Sequence, residues 1–263
     1  MSPAPYSWID THTHLDDPIF DVDREVMIAE ARDAGMRSFV NIGYCPERWG
    51  TTILLMRRFP GNACAIGLHP GHADEWNDGT EEALRAAIRE AGAVAVGEIG
   101  MDFFRQGPSA EQQREVLLRQ LDIAAELGMP AVIHQRAAER ELMEIAMGSD
   151  RLPQLLLHSF DGSERYADFA RETGAMVGVG GLAARSSSVE LREVLSGIPI
   201  DRIVLETDSP YLVPPGARGR RNTPATIPLI ARRVAALWDL TEEEFAAITT
   251  TNARRLFGAM PDA

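Results

Sequence analysis

Eight short apolar runs alternate with helix-like stretches along this 263-residue chain. The runs are nearly continuous rather than alternating, which is typical of parallel strands covered on both faces. The predicted strands are Trp8–Asp10, Ser38–Ile42, Ala63–Leu68, Ala93–Gly97, Ala131–His134, Leu155–His158, Ala175–Val179 and Ile203–Glu206. Length and alternation together predict one α/β domain over residues 1–263, a (β/α)8 TIM barrel with extra C-terminal helices.

Capping residues mark the ends of several predicted helices. Ser109 and Gln112 form a capping-box pattern that predicts a helix ending at Leu127. The tail Thr223–Phe257 is expected to form two helices, with a second capping box beginning at Thr241. A doubly wound open sheet is the structural alternative, but the glycine-rich dinucleotide fingerprint after the first strand is absent.

Histidines and carboxylates recur where the apolar runs end. The first run enters His12 and His14, whose side chains, two apart on a strand, would point to one side and reach a single ion. In a parallel barrel the carboxyl ends of the strands form one rim, so such residues would converge there. The candidate metal ligands are His12, His14, Glu98, His134, His158 and Asp208.

Four imidazoles and two carboxylates suit two divalent ions, such as Mg, Mn or Zn, better than one, since a single zinc site closes at four ligands. Glu98 is the candidate bridging carboxylate, and Asp208 can both ligate an ion and accept a proton from the attacking water. Two divalent ions beside two carboxylates would leave a local charge of about +2, which attracts phosphate. Glu98 and Asp208 are therefore the predicted catalytic residues.

The net charge of −13 argues against broad adhesion to nucleic acid or to an anionic membrane, although a local cationic site stays compatible with it. Cys45 and Cys64 have no framework spacing and are expected to be buried free thiols. Neither a signal-peptide pattern nor an apolar stretch long enough to span a bilayer is present, so we expect a cytoplasmic protein that does not engage membranes.

A Pro/Gly-rich basic loop, Val213–Arg221, follows the last predicted strand. Two interpretations are open: a solvated basic loop, or an element on the active-site rim that grips phosphate. Its arginines are Arg218, Arg220 and Arg221.

Several motifs together resemble the TatD family of metal-dependent deoxyribonucleases, within the amidohydrolase-like barrels. They are Asp10-Thr11-His12-Thr13-His14-Leu15-Asp16, Ile66-Gly67-Leu68-His69-Pro70, Val96-Gly97-Glu98-Ile99-Gly100-Met101-Asp102, Val132-Ile133-His134-Gln135-Arg136, Leu157-His158-Ser159-Phe160-Asp161-Gly162, Leu205-Glu206-Thr207-Asp208-Ser209-Pro210 and Arg221-Asn222-Thr223-Pro224. The resemblance implies a TIM barrel, two divalent metals, and 3′-to-5′ exonuclease or related phosphodiesterase activity. It places the six candidate ligands on the family's ligand positions, with Glu98 bridging. The expected substrate-binding residues are His69, Asp102, Arg136, Glu206, Arg218, Arg220, Arg221 and Asn222.

Three functions follow from these patterns. The first is a deoxyribonuclease acting on single-stranded or frayed DNA ends. The second is a hydrolase of a small ester, lactone, amide or phosphoester, which is favoured by Ala137 and Thr223, where many family members have Asp and Glu. The third is a non-catalytic metal-binding barrel, against which the complete set of six ligands argues.

Overall fold

The computed structural model describes residues 6–149 and 151–258. The described residues contain eight parallel strands, and strands that are neighbours in sequence are neighbours in the sheet. They are β1 (Trp8–Thr13), β2 (Met36–Gly43), β3 (Ala63–Ile66), β4 (Ala95–Asp102), β5 (Ala131–Arg136), β6 (Leu155–Leu157), β7 (Met176–Val179) and β8 (Ile203–Leu205). This sequential order excludes the doubly wound sheet, whose strand order reverses at a switch point.

Backbone hydrogen bonds join the chain after β8 to β1 and nearly close the barrel. The Asp208 N–H donates to the His12 carbonyl at 2.9 Å, and the His14 N–H donates to the Ser209 carbonyl at 2.8 Å. The predicted (β/α)8 barrel is therefore confirmed.

Helices cover the outside of the barrel. They are α1 (Arg24–Asp33), α2 (Pro46–Arg58), α3 (Asp78–Ala91), α4 (Ala110–Leu127), α5 (Glu139–Met147), α6 (Glu164–Thr173), α7 (Val189–Ser196), α8 (Ile227–Val234) and α9 (Glu242–Phe257). Both predicted capping boxes are present, at Ser109 and at Thr241. No helix in the described ranges is long and apolar enough to cross a membrane.

A cluster of mostly small and branched side chains from all eight strands is buried together, among them Ile9, Ala65 and Ala95. Leu256 and Phe257 of α9 pack against this cluster. The extra C-terminal helix thus covers the end of the barrel where the strands begin, and the end where the strands finish is left for polar residues.

Strand β4 is longer than predicted, because it continues from Gly97 to Asp102. The sequence places the end of this strand at the first carboxylate, yet Gly100 pairs with His134 in β5 and the ladder runs on. A register shift between Gly97 and Ile99 accommodates Glu98. Gly100 has a φ of 147°, and any Cβ there would overlap the His134 carbonyl, so the close approach requires glycine.

Candidate metal centre

Five of the six predicted ligands lie in the carboxyl half of a strand or just after its end, and Glu98 lies in the middle of β4. Glu98 and His134 belong to the strands themselves, as does His12, whereas the remaining three follow the ends of β1, β6 and β8: His14, His158 and Asp208. The fold therefore brings together residues that are far apart in the sequence, as predicted.

The first group combines the His-x-His pair with Asp208. The Oδ1 atom of Asp208 lies 3.4 Å from His14 Nε2 and 3.9 Å from His12 Nε2. One ligand atom from each of the three residues lies within 4.8 Å of the others, so together they can hold a metal ion. Burial opposes ionisation of Asp208, but the neighbouring imidazoles, first that of His14, outweigh it and lower the pKa of the carboxyl group.

Glu98 lies between this pair and the histidines of β5 and β6. Its carboxylate is 3.6 Å from His12 Nε2, 2.7 Å from His134 Nδ1 and 3.8 Å from His158 Nε2. Although burial opposes ionisation, His134 and His12 hold the pKa of Glu98 well below its ordinary value. An ionised, buried carboxylate flanked by three imidazoles can serve ligands on both sides, so Glu98 stays the candidate bridging residue.

The unpaired nitrogens of the buried histidines fit a metal ion. Among the described residues, neither ring nitrogen of His12 has a hydrogen-bond partner, and Nδ1 of His14 has none either. His12 Nε2 lies 3.6 Å from Glu98 and 3.9 Å from Asp208, and both distances exceed hydrogen-bond length. This nitrogen therefore has no hydrogen-bond partner within the part of the chain that the structure describes. Burying such groups without partners is costly, and nitrogen with carboxylate oxygen is a donor set that divalent ions accept.

A third group of candidate ligands lies beside Glu98. It consists of His69, Asp102 and His134, again within 4.8 Å of one another. Asp102 Oδ2 is 3.2 Å from His134 Nε2, and the His69 ring centroid is 4.4 Å from that of His134. His69 and Asp102 were expected on the substrate side, and the structure places both in contact with a candidate ligand.

Asp10 and Thr207 are residues whose role the sequence does not reveal. Both are fully buried, and Asp10 accepts hydrogen bonds from the Thr207 N–H, the Thr207 hydroxyl and the His12 N–H. Burial raises the pKa of Asp10 to about 8. This pair ties β1 to the end of β8 and thereby places His12 next to Asp208. The signals for it in the sequence are an acid inside an apolar strand and the place of both residues in the motifs that resemble the TatD family.

Two residues predicted to bind substrate, Glu206 and Asn222, are buried and make contacts within the site. Glu206 is fully buried, accepts a hydrogen bond from the Ser159 N–H at 2.7 Å and lies 3.0 Å from His158 Nδ1. Burial opposes protonation of His158, but Glu206 and then Glu98 raise its pKa to about 10. One ligand atom each of Glu206, His12 and His158 lies within 4.8 Å of the others, so Glu206 can hold an ion with them or orient the His158 imidazole. Its contact with substrate stays a prediction.

Asn222 is likewise buried without any exposed surface, and its amide is fully used within the chain. It donates to the Thr207 carbonyl at 2.8 Å and accepts from the Thr226 hydroxyl at 2.7 Å. Because its polar atoms are already paired within the chain, these contacts support a positioning role for Asn222, and its direct contact with substrate stays a prediction.

The predicted arginines differ in their surroundings. Arg136, Arg218 and Arg220 are exposed. Arg221 instead donates to the Ile19 carbonyl and to Asp23, and its guanidinium packs over the Phe20 ring. Because these contacts anchor the chain after β1, they support a structural role for Arg221.

A (β/α)8 barrel with clustered imidazoles and carboxylates where its strands end defines a metal-dependent hydrolase. The chain belongs to the TatD-related DNase family, whose model matches residues 9–258. It is accordingly a TatD-type hydrolase of phosphodiester bonds.

Relatives and solved structures agree with this assignment. The chain is 38% identical over 244 residues to the 3'-5' ssDNA/RNA exonuclease TatD of Cronobacter sakazakii, covering 90% of this chain and 93% of the relative. It is 35% identical to the protein of the same name from Salmonella typhimurium, with 94% and 98% covered. The crystal structure of YJJV, a TatD homologue from Escherichia coli, superposes with a TM-score of 0.89 at 30% identity, covering 96% of this chain and 98% of that one.

Proposed function

We propose that this protein is a 3'-5' exonuclease of single-stranded DNA or RNA that uses two divalent metal ions. The observation that carries the proposal is the cluster of His12, His14, Glu98 and Asp208, in which buried ring nitrogens lack partners. The names of the relatives support the substrate and the polarity, and the match covers more than nine-tenths of the length of each relative.

The candidate ligands form two groups, one on each side of Glu98. His12, His14 and Asp208 would hold one ion, and His134 with His158 would hold the other. Ions bound there would activate a water and stabilise the leaving oxygen. Asp208, whose pKa is lowered, is ionised at neutral pH and would accept the proton of the attacking water.

His69 would contact substrate through a defined nitrogen. Its Nδ1 accepts a hydrogen bond from the Gly71 N–H at 3.0 Å, which places the ring proton on Nε2. Burial lowers the pKa of His69 to about 3, so the ring is neutral at physiological pH. A neutral imidazole with a fixed tautomer can donate to a phosphate oxygen without repelling nearby cations.

The exposed arginines of the loop after β8, Arg218 and Arg220, would add positive charge for phosphate binding. They offset locally the net charge of −13, which otherwise opposes the approach of a nucleic acid.

Labelled strands of defined end chemistry test the proposal. Chelator-stripped protein is incubated with single-stranded DNA and RNA labelled at the 5′ or the 3′ end, with and without Mg²⁺ or Mn²⁺. We expect metal-dependent ladders that shorten from the 3′ end, and none from Glu98→Gln. Products that shorten from the 5′ end would refute the polarity, and strands left intact at every metal concentration would refute the function.

Membership in a DNase family favours a nuclease over the two alternatives derived from the sequence. A panel of esters and lactones assayed at equal metal concentration compares the small-substrate alternative directly. The cytoplasmic location stays a prediction.

A further inference from the structure

Phe104 is a large aromatic side chain exposed at the edge of the candidate site. The residue is 66% exposed, although the preceding Phe103 packs against the core. The Arg136 guanidinium carbon lies 3.8 Å from the Phe104 ring centroid. Phe104 follows the end of β4, and Arg136 is the last residue of β5, which pairs with β4. The stack therefore forms part of the rim around the candidate metal centre.

The stack is fixed to the site through Asp102. The N–H groups of Phe104 and Arg105 both donate to Asp102 Oδ1, at 2.9 and 3.0 Å. The other oxygen of Asp102 lies 3.2 Å from His134 Nε2. Two residues of chain span at most about 7 Å, so the backbone that carries the ring is held close to a candidate ligand.

Single exposed apolar side chains are common on protein surfaces and by themselves indicate nothing. Leu54, for example, is 62% exposed in helix α2. Phe104 differs because its turn is clamped to the site and because a cation lies against its ring. In addition, the Arg136 guanidinium donates no hydrogen bond to any residue within 6–149 or 151–258, which leaves its donors available for a phosphate.

We infer that Phe104 and Arg136 form a base-stacking subsite for the nucleic acid strand, with the ring of Phe104 against a nucleobase and Arg136 beside a phosphate. The inference rests on the proposed function and deepens it. Aromatic rings and cations are the groups that bind single strands without regard to sequence, because every base has a face that can stack. The subsite therefore favours a strand with unstacked bases over a paired duplex.

Removing the ring and removing the base test the same contact from both sides. Cleavage by wild type and Phe104→Ala is compared on an oligothymidylate and on matched strands that carry one abasic nucleotide near the 3′ end, its position varied. We expect Phe104→Ala to raise KM on the intact strand about 5- to 100-fold, with kcat little changed. On the strand whose abasic position meets the ring, the same substitution should have no further effect.

Controls separate stacking from damage to the site. Phe104→Trp should retain the KM of wild type, Leu54→Ala should leave it unchanged, and the Tm should be the same in all variants. Binding of a cleavage-resistant phosphorothioate strand, followed by fluorescence anisotropy, should weaken in Phe104→Ala by the same factor as KM.

The outcomes distinguish the subsite from the proposed function. If wild type cleaves single strands and Phe104→Ala changes intact and abasic substrates equally, or changes neither, the subsite is overturned and the function stands. If wild type neither binds nor cleaves single strands, the proposed function is refuted and the subsite with it.

Discussion

Replacing Asp208 by Asn probes the proton acceptor of the site while keeping its shape. Asp208 has a φ of 56°, in the left-handed region that Asn also tolerates, and its N–H is bonded to the His12 carbonyl. The substitution preserves both features, so the fold should survive. What changes is one negative charge and one basic oxygen, 3.4 Å from His14 Nε2.

The magnitude follows from the loss of general-base catalysis. An amide cannot accept a proton at neutral pH, and such a loss slows turnover about 10²- to 10⁴-fold, or about 3–5 kcal/mol in activation free energy. The wild-type carboxyl has a lowered pKa, so its basicity is modest and we expect the lower half of this range. Asn still offers one oxygen to an ion, so part of the metal should be retained.

The assay measures turnover and metal content on the same preparations. Rates with a single-stranded oligonucleotide at saturating Mn²⁺ are followed from acidic to alkaline pH, and metal is counted by calorimetric titration. The acidic limb of the wild-type profile should disappear in Asp208→Asn. Asp168→Asn, an exposed acid of α6, makes the same chemical change away from the site and should behave as wild type.

Full metal content together with near-normal turnover in Asp208→Asn would refute the reasoning, because Asp208 would then be neither base nor essential ligand. A complete loss of metal would instead show that its charge matters for binding before it matters for proton transfer.

Further predictions concern the bridge, the basic loop and the buried acid. Glu98→Ala should lose metal and activity more severely than His69→Ala, since Glu98 lies against three imidazoles; equal metal content by elemental analysis would contradict this. The double change Arg218→Ala with Arg220→Ala should raise KM and flatten its salt dependence with kcat unchanged, and an unaltered salt slope would indicate a solvated loop. Asp10→Asn tests a carboxyl group whose pKa burial raises to about 8 in the native protein, from about 4 in the unfolded chain. The contribution of this group to stability is therefore fully present below about pH 4 and is lost as the pH rises through about 8. In chelator, urea midpoints of wild type should therefore fall relative to Asp10→Asn between about pH 5 and pH 9, and parallel profiles would disprove it.

The order of the strands and the convergence of the six candidate ligands could be predicted because both follow from local patterns. Continuous apolar runs separated by capped helices indicate a parallel barrel, and a barrel brings its carboxyl ends together whatever the loops do. The helix boundaries at Ser109 and Thr241 were predictable for the same reason, since each capping box involves only four neighbouring residues.

The ends of the strands were harder to predict, because a polar residue in the sequence looks like the end of a buried strand. In β4 the ladder continues through Glu98 to Asp102, because contacts among the candidate ligands offset the free-energy cost of burying these carboxylates. The partner that makes this possible, His134, lies 36 residues away in the sequence. No window of local sequence contains that information.

Substrate contacts stay predictions, and the sequence cannot rank them because it does not show the hydrogen bonds of the individual side chains. Asn222 and Arg136 both stand in motifs that resemble the family, so the sequence alone does not distinguish their roles. Yet the amide of Asn222 is consumed by Thr207 and Thr226, whereas the guanidinium of Arg136 donates no hydrogen bond within the described ranges and rests on an exposed ring. A buried side chain whose polar atoms are all paired can only position its neighbours, whereas one with free donors at the rim can bind a ligand. Specificity in this barrel is therefore to be sought among the unpaired cations and exposed rings at the ends of the strands.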